Sequence, residues 1–99
     1  MLKKSYSKTK KYCRVTFKYT PENEIEKVVL LGDFNKWGKE GQQVLAKRKD
    51  GSYSVTISLE ANNDYKFRYL IDDKEWTNDE EADDYIPNPF GAKDAVLKI

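Results

Sequence analysis

The chain has no histidine, one cysteine and only three prolines among its 99 residues. A single thiol, Cys13, permits no intramolecular disulfide and no thiolate cluster for a metal. Without histidine, and with no nucleophile elbow, nothing argues for nucleophilic catalysis; among 17 acids no carboxylate pair stands out for glycoside chemistry. No apolar run approaches the length of a membrane span. The amino end, where only Met1 and Leu2 are apolar, lacks the hydrophobic segment of a secretory signal. Helix-period segments of useful length and internal repeats are missing too. These absences lead us to expect a cytoplasmic, non-catalytic protein without cofactor, metal or membrane contact.

What the chain does have is aromatic residues. A hydrophobic fraction of 38% is low for a globular chain, but 13 aromatics supply bulky core material that a disordered chain lacks. The length suits one small domain. A net charge of +1 hides an asymmetry: residues 1 to 18 carry six Lys and one Arg with no acid, and 72 to 84 carry eight acids against one Lys. Such blocks either attract each other or stay solvated, and solvation is the commoner outcome. The basic residues of 1 to 11 have no apolar period, so this segment reads as a flexible tail rather than a nucleic-acid-binding surface.

Period-two alternation dominates the rest. Val15, Phe17 and Tyr19, then Tyr53, Val55, Ile57 and Leu59, then Tyr65, Phe67, Tyr69 and Ile71 each alternate with mostly polar neighbours, the signature of half-buried strands. Val28-Val29-Leu30-Leu31 reads as a strand in mid-sheet or covered on both faces. Asp50-Gly51 is a hairpin signal, Asp72-Asp73 punctuates a later turn, and Val96 belongs to a final strand. Pro87 and Pro89 confine their segment to a loop or a sheet edge. The pattern predicts an all-β, immunoglobulin-like sandwich of about seven short antiparallel strands over residues 12–99, preceded by the tail at 1–11.

Two tryptophans stand at the polar ends of strong strands. Trp37 follows Gly32-Asp33-Phe34-Asn35-Lys36, and Trp76 follows Asp72-Asp73-Lys74-Glu75. Asp33 and Asn35 read as turn formers through side-chain to backbone hydrogen bonds. Each indole either folds back as core or presents a flat plate. A pyranose offers an apolar C–H face to such a plate and hydroxyls to nearby Lys, Asn and Asp.

The segments Val29–Trp37, Gly51–Val55, Tyr65–Asp72 with Trp76 and Asn78-Asp79, and Asn88-Pro89-Phe90-Gly91 with Val96 resemble, in order, the family-48 carbohydrate-binding modules. These are the isoamylase amino-terminal or early-set domains, also found in glycogen-branching enzymes and in the β subunit of the AMP-activated protein kinase. The resemblance spans residues 13 to 99 and is closest to short free-standing bacterial members without a catalytic barrel. It implies a non-catalytic α-glucan-binding module (glycogen, starch or maltooligosaccharide), in company with a glucan-metabolising enzyme. In it Trp37 and Trp76 are the stacking plates, Lys66 bonds sugar hydroxyls and Phe90 inserts at the sugar chain. Where the family has a sugar-binding asparagine this chain has Asp94, and Ala92 replaces a small polar residue. A carboxylate still accepts from hydroxyls but has lost the amide donor, and pairing with Lys66 would withhold that ammonium, so weak binding is expected. Structural readings stay open for Lys66, as a solvated strand lysine, and for Phe90, as a plug under the proline-rich loop. The rival function is a protein-interaction module that kept the sandwich, with a degenerate sugar site.

Overall fold

Apolar alternation resolves, among the described residues, into ten strands: β1 Leu2–Tyr6, β2 Tyr12–Tyr19, β3 Val28–Gly32, β4 Gln43–Val44, β5 Ala46–Lys47, β6 Tyr53–Glu60, β7 Asp64–Ile71, β8 Glu75–Thr77, β9 Asp84–Pro87 and β10 Lys93–Lys98. The structure is a computed structural model and describes residues 2–39, 41, 43–79, 82–89 and 91–99. All pairings are antiparallel. The smaller sheet runs β1-β2-β6-β5; the larger runs β4-β3-β7-β10-β9, with β8 pairing the far half of β7. This is the all-β sandwich that the alternation predicts, with extra short strands at the edges.

The inward side chains meet in one layer. Cys13, Val15 and Phe17 of β2 pack with Val28 and Leu30 of β3, Phe67, Tyr69 and Ile71 of β7, and Ala95 and Leu97 of β10. Phe17 sets its edge against Phe67 at 5.2 Å between ring centres, and Tyr19 meets Tyr69 at 5.4 Å, so aromatic rings bridge the sheets. Each fully buried Phe or Leu contributes roughly 1.5–3 kcal/mol, which makes this layer the main tie between the two sheets. The Asp50-Gly51 turn joins β5 to β6, with Gly51 at φ +87° and Asp50 Oδ1 accepting from the Ser52 N–H and hydroxyl.

The flexible tail expected over 1–11 is corrected by the structure, which has β1 at the sandwich edge. Leu2, Lys4 and Tyr6 face inward by their register with Phe17, Val15 and Cys13. Lys4 donates to both oxygens of Asp83 at 2.7 Å and to the Lys98 carbonyl, and the Tyr6 hydroxyl reaches the Ile99 carbonyl. With a lysine at the middle inward position, no apolar period marks the strand. The basic and acidic blocks attract each other at this seam, and Lys98 adds an ion pair with Asp84 at 3.4 Å.

The larger sheet is also buried on part of its outer face. Every residue of β3 is buried. Register places Val28 and Leu30 inward and leaves Val29 and Leu31 on the outer face beside Leu70 and Arg68. The proline-bearing segment is an edge strand: β9 pairs only with β10 and ends at Pro87, where no further ladder bond is required. The one helical segment among the described residues is the 3-10 stretch Asp33–Gly38, and no described helix is long and apolar enough to cross a membrane.

Candidate functional site

The turn after β3 starts from a close approach. A Cβ on Gly32 would lie 2.5 Å from the Lys66 carbonyl oxygen and 2.9 Å from Phe67 Cβ, so only glycine lets β3 and β7 come together there. The chain then makes a short 3-10 turn and passes through three left-handed residues, Lys36 (φ +50°), Trp37 (φ +57°) and Gly38 (φ +95°). For a non-glycine residue this conformation costs about 1 kcal/mol or more.

Two side chains hold the strained turn. Asn35, only 4% exposed, donates to the Leu30 carbonyl at 3.0 Å and accepts from the N–H groups of Gly32 (3.0 Å) and Gly38 (3.3 Å). Asp33 accepts from the Trp37 indole N–H at 3.1 Å through Oδ1 and from the Lys66 backbone N–H at 2.8 Å through Oδ2. The turn-forming role expected of both residues falls to Asn35; the Asp33 side chain bonds the Trp37 indole and the backbone of β7 rather than the backbone of its own turn. Asn35 is more deeply buried than its polar surroundings suggested, and Asp33 also fixes the indole to β7.

Trp37 stays 36% exposed and Trp76 44% exposed, so neither indole is core. Their ring centres are 6.4 Å apart with planes inclined at 55°, which makes a bent, two-plate surface. The β7–β8 hairpin supplies the second plate: Leu70 pairs with Trp76, so Trp76 shares the outer face with Lys66, Arg68 and Leu70. The turn of that hairpin is anchored by Asp72, whose Oδ1 accepts from the backbone N–H groups of Glu26 and Lys27. Arg68 lays its guanidinium 5.6 Å from the centre of the Trp76 ring.

Lys66 is exposed on this face and makes no ion pair among the described residues. Asp94 lies on the same face by register, one residue before the Ala95–Phe67 pair. The suspected Lys66–Asp94 pairing is not formed; Asp94 Oδ1 instead accepts from the Asn88 side-chain amide at 3.2 Å. Asn88 Oδ1 in turn accepts from the Ala92 N–H, so the carboxylate belongs to the β9–β10 connection. Asn78 ties the end of β8 to β10 by donating to the Lys93 carbonyl at 2.8 Å. Phe90 lies outside the described residues.

The structure thus brings Trp37 and Trp76 together, sets Lys66 and Asp94 on the same face, and adds a residue that the sequence reading passed over. Arg68 stands two positions after Lys66 on an alternating strand, which was enough to place it on that face; its stacking on Trp76 depended on the β7–β8 register. On the inner side of β8 a separate cleft of about 600 Å³ lies between the 18–25 segment and Glu75, Thr77 and Asp79. There Tyr69 donates to the buried Asp79 carboxylate at 2.8 Å, and burial beside that carboxylate holds the phenol far above its ordinary range.

No protein-family model matches the chain, and no curated protein matches it. Among solved structures, the ferric enterobactin esterase of Salmonella typhimurium superposes on 99% of the chain with a TM-score of 0.80 at 13% sequence identity. The chain spans 34% of that protein's length, and the likeness is one of fold, a shared β-sandwich.

Proposed function

We propose that this protein is a non-catalytic α-glucan-binding module whose platform is the outer face of the larger sheet. The observation that carries the reading is the pair of half-exposed indoles, 6.4 Å apart and inclined at 55°, Trp37 held by a strained and heavily hydrogen-bonded turn and Trp76 by the β7–β8 hairpin. Two inclined plates follow a curved sugar chain better than one flat surface does. Each plate offers the apolar C–H face of a sugar ring a flat aromatic surface to cover. Lys66 and Arg68 donate to hydroxyls beside the plates, and Asp94 accepts. The resemblance to the family-48 modules supports Trp37, Trp76 and Lys66, and in that family catalysis resides in a separate barrel.

Binding is weak. The platform is open, and an estimated Kd on the order of 0.1–1 mM corresponds to only about −4 to −5.5 kcal/mol. Targeting to polysaccharide granules therefore works through repeated sites or through a glucan-metabolising enzyme held alongside. The test is tryptophan emission titrated with maltoheptaose, together with retention on glycogen. Saturable quenching and retention are expected; unchanged emission with no retention removes the reading.

A second reading, a protein-interaction module with a degenerate sugar site, is favoured by one feature. Val44 is 53% exposed and Ile86 38% exposed, and their register with Val29 and Asp94 places both on the same outer face. That reading gains if Val44→Ser and Ile86→Ser abolish capture of a defined partner while glycogen retention is absent from the wild type.

A further inference from the structure

Arg68 has donors that the fold does not use. Its Nε is buried without a hydrogen-bond partner, and among the described residues its side chain makes no ion pair. A guanidinium carries five donors in a rigid fork, and a buried donor left unmatched is destabilising. The contact with Trp76 fixes the guanidinium beside the indole; the buried Nε is closed to a ligand, so the fork it presents is the pair of Nη groups, which bond to no described residue. Lys66 stands two residues earlier on the same face, about 7 Å along the strand. Three carboxylates of this face are engaged by other groups: Asp33 with the Trp37 indole and the Lys66 N–H, Asp94 with Asn88, and Asp84 with Lys98. Asp64 shares the face too, but it stands four residues before Arg68, roughly 13 Å along the strand.

We propose that the platform takes a saccharide bearing an oxyanion substituent, a phosphomonoester or a carboxylate, gripped by the Arg68 fork with Lys66 beside it. The inference rests on the saccharide reading above and narrows it. A neutral glucan satisfies the two plates but gives the fork only hydroxyl acceptors. An oxyanion matches it with two parallel charge-assisted bonds, the geometry in which arginine outperforms lysine.

Calorimetric titration of the full chain tests this with four probes: maltoheptaose, maltoheptaose carrying a 6-phosphate, a hexuronate oligosaccharide of similar length, and inorganic phosphate. The proposal expects one anionic sugar to bind about tenfold tighter than the neutral one. That advantage should shrink as salt is raised. The tighter of the two anionic sugars identifies the substituent. In Arg68→Gln the ratio of anionic to neutral affinity should fall to near one, and in Arg68→Lys it should be intermediate. Equal affinity for neutral and anionic sugars overturns the inference and leaves the glucan reading standing, whereas no binding by any sugar overturns both. Inorganic phosphate binding as tightly as the phosphorylated sugar also overturns it, because the plates would then contribute nothing. Should Arg68→Gln fail to fold, the wild-type affinity ratio and its salt dependence decide alone.

Discussion

The two outer faces of the sandwich are built from the same strand geometry and carry opposite chemistry. On the smaller sheet the outward positions of β2 and β6 are Arg14, Thr16, Lys18, Ser54, Thr56 and Ser58, and the Thr16 and Thr56 hydroxyls bond across the strands at 2.8 Å. That face is an ordinary solvated surface. On the larger sheet the outward positions include the buried Val29, Leu31 and Val96, the part-buried Leu70 and Arg68, and the half-exposed Trp76, with Trp37 beside it. One face needs nothing further from its surroundings; the other concentrates apolar and cationic groups where the core does not require them. The contrast is the physical ground for proposing the outer face of the larger sheet as the binding platform.

The comparison breaks most severely at Asn35. Replacing it with alanine leaves the N–H groups of Gly32 and Gly38 and the Leu30 carbonyl without their partner. We expect Asn35→Ala to lose about 3 kcal/mol in denaturant unfolding and to release Trp37 from its position. A loss under about 0.5 kcal/mol would mean that the turn is held by something else.

Next come the plates themselves. Trp37→Ala and Trp76→Ala should each weaken maltoheptaose binding at least tenfold on the order-of-magnitude scale of a buried aromatic contact. Their stability cost should stay near 1 kcal/mol, because both indoles are substantially exposed. Thr16→Val, on the opposite face, should change stability by about 0.5 kcal/mol or less and leave binding alone. If the tryptophan variants unfold instead, the indoles are core and the two faces are alike in function.

The smallest effect concerns the β5–β6 hairpin of the smaller sheet. Asp50 is lowered from an ordinary carboxylate value to about 2, first by the Ser52 hydroxyl, then by the Ser52 N–H and the Lys18 charge. A depressed folded-state pKa contributes stability that is present above the unfolded value of 3.8 and is lost as pH falls toward about 2. Asp50→Ala should therefore lower Tm slightly at neutral pH, and the difference should close as pH falls through that window. A difference independent of pH would contradict the assignment to ionisation. Saccharide binding should not respond to this variant at all.

Much of the fold was legible because β2 and β6 alternate, β7 alternates except at Leu70, and β3 is a continuous apolar run. The Asp50-Gly51 hairpin and the tryptophan turn were legible for the same local reason: their residues satisfy their own backbone. β1 was not, since Lys4 occupies an inward position and finds its partner, Asp83, 79 residues away. The same holds for the platform. Strand alternation places Lys66, Arg68 and Leu70 on one face, but the approach of Trp37 to Trp76 depends on left-handed residues and on the β7–β8 register, which no local pattern encodes.

The most direct test of the platform is a heteronuclear NMR titration with maltoheptaose, in which the chain's two tryptophans give two indole N–H signals. The account predicts that both signals shift along one binding curve, with the backbone signals of Lys66 and Arg68, while those of Thr16 and Thr56 stay in place. Indole signals that do not move at millimolar ligand, or shifts spread evenly over both sheets, would contradict it.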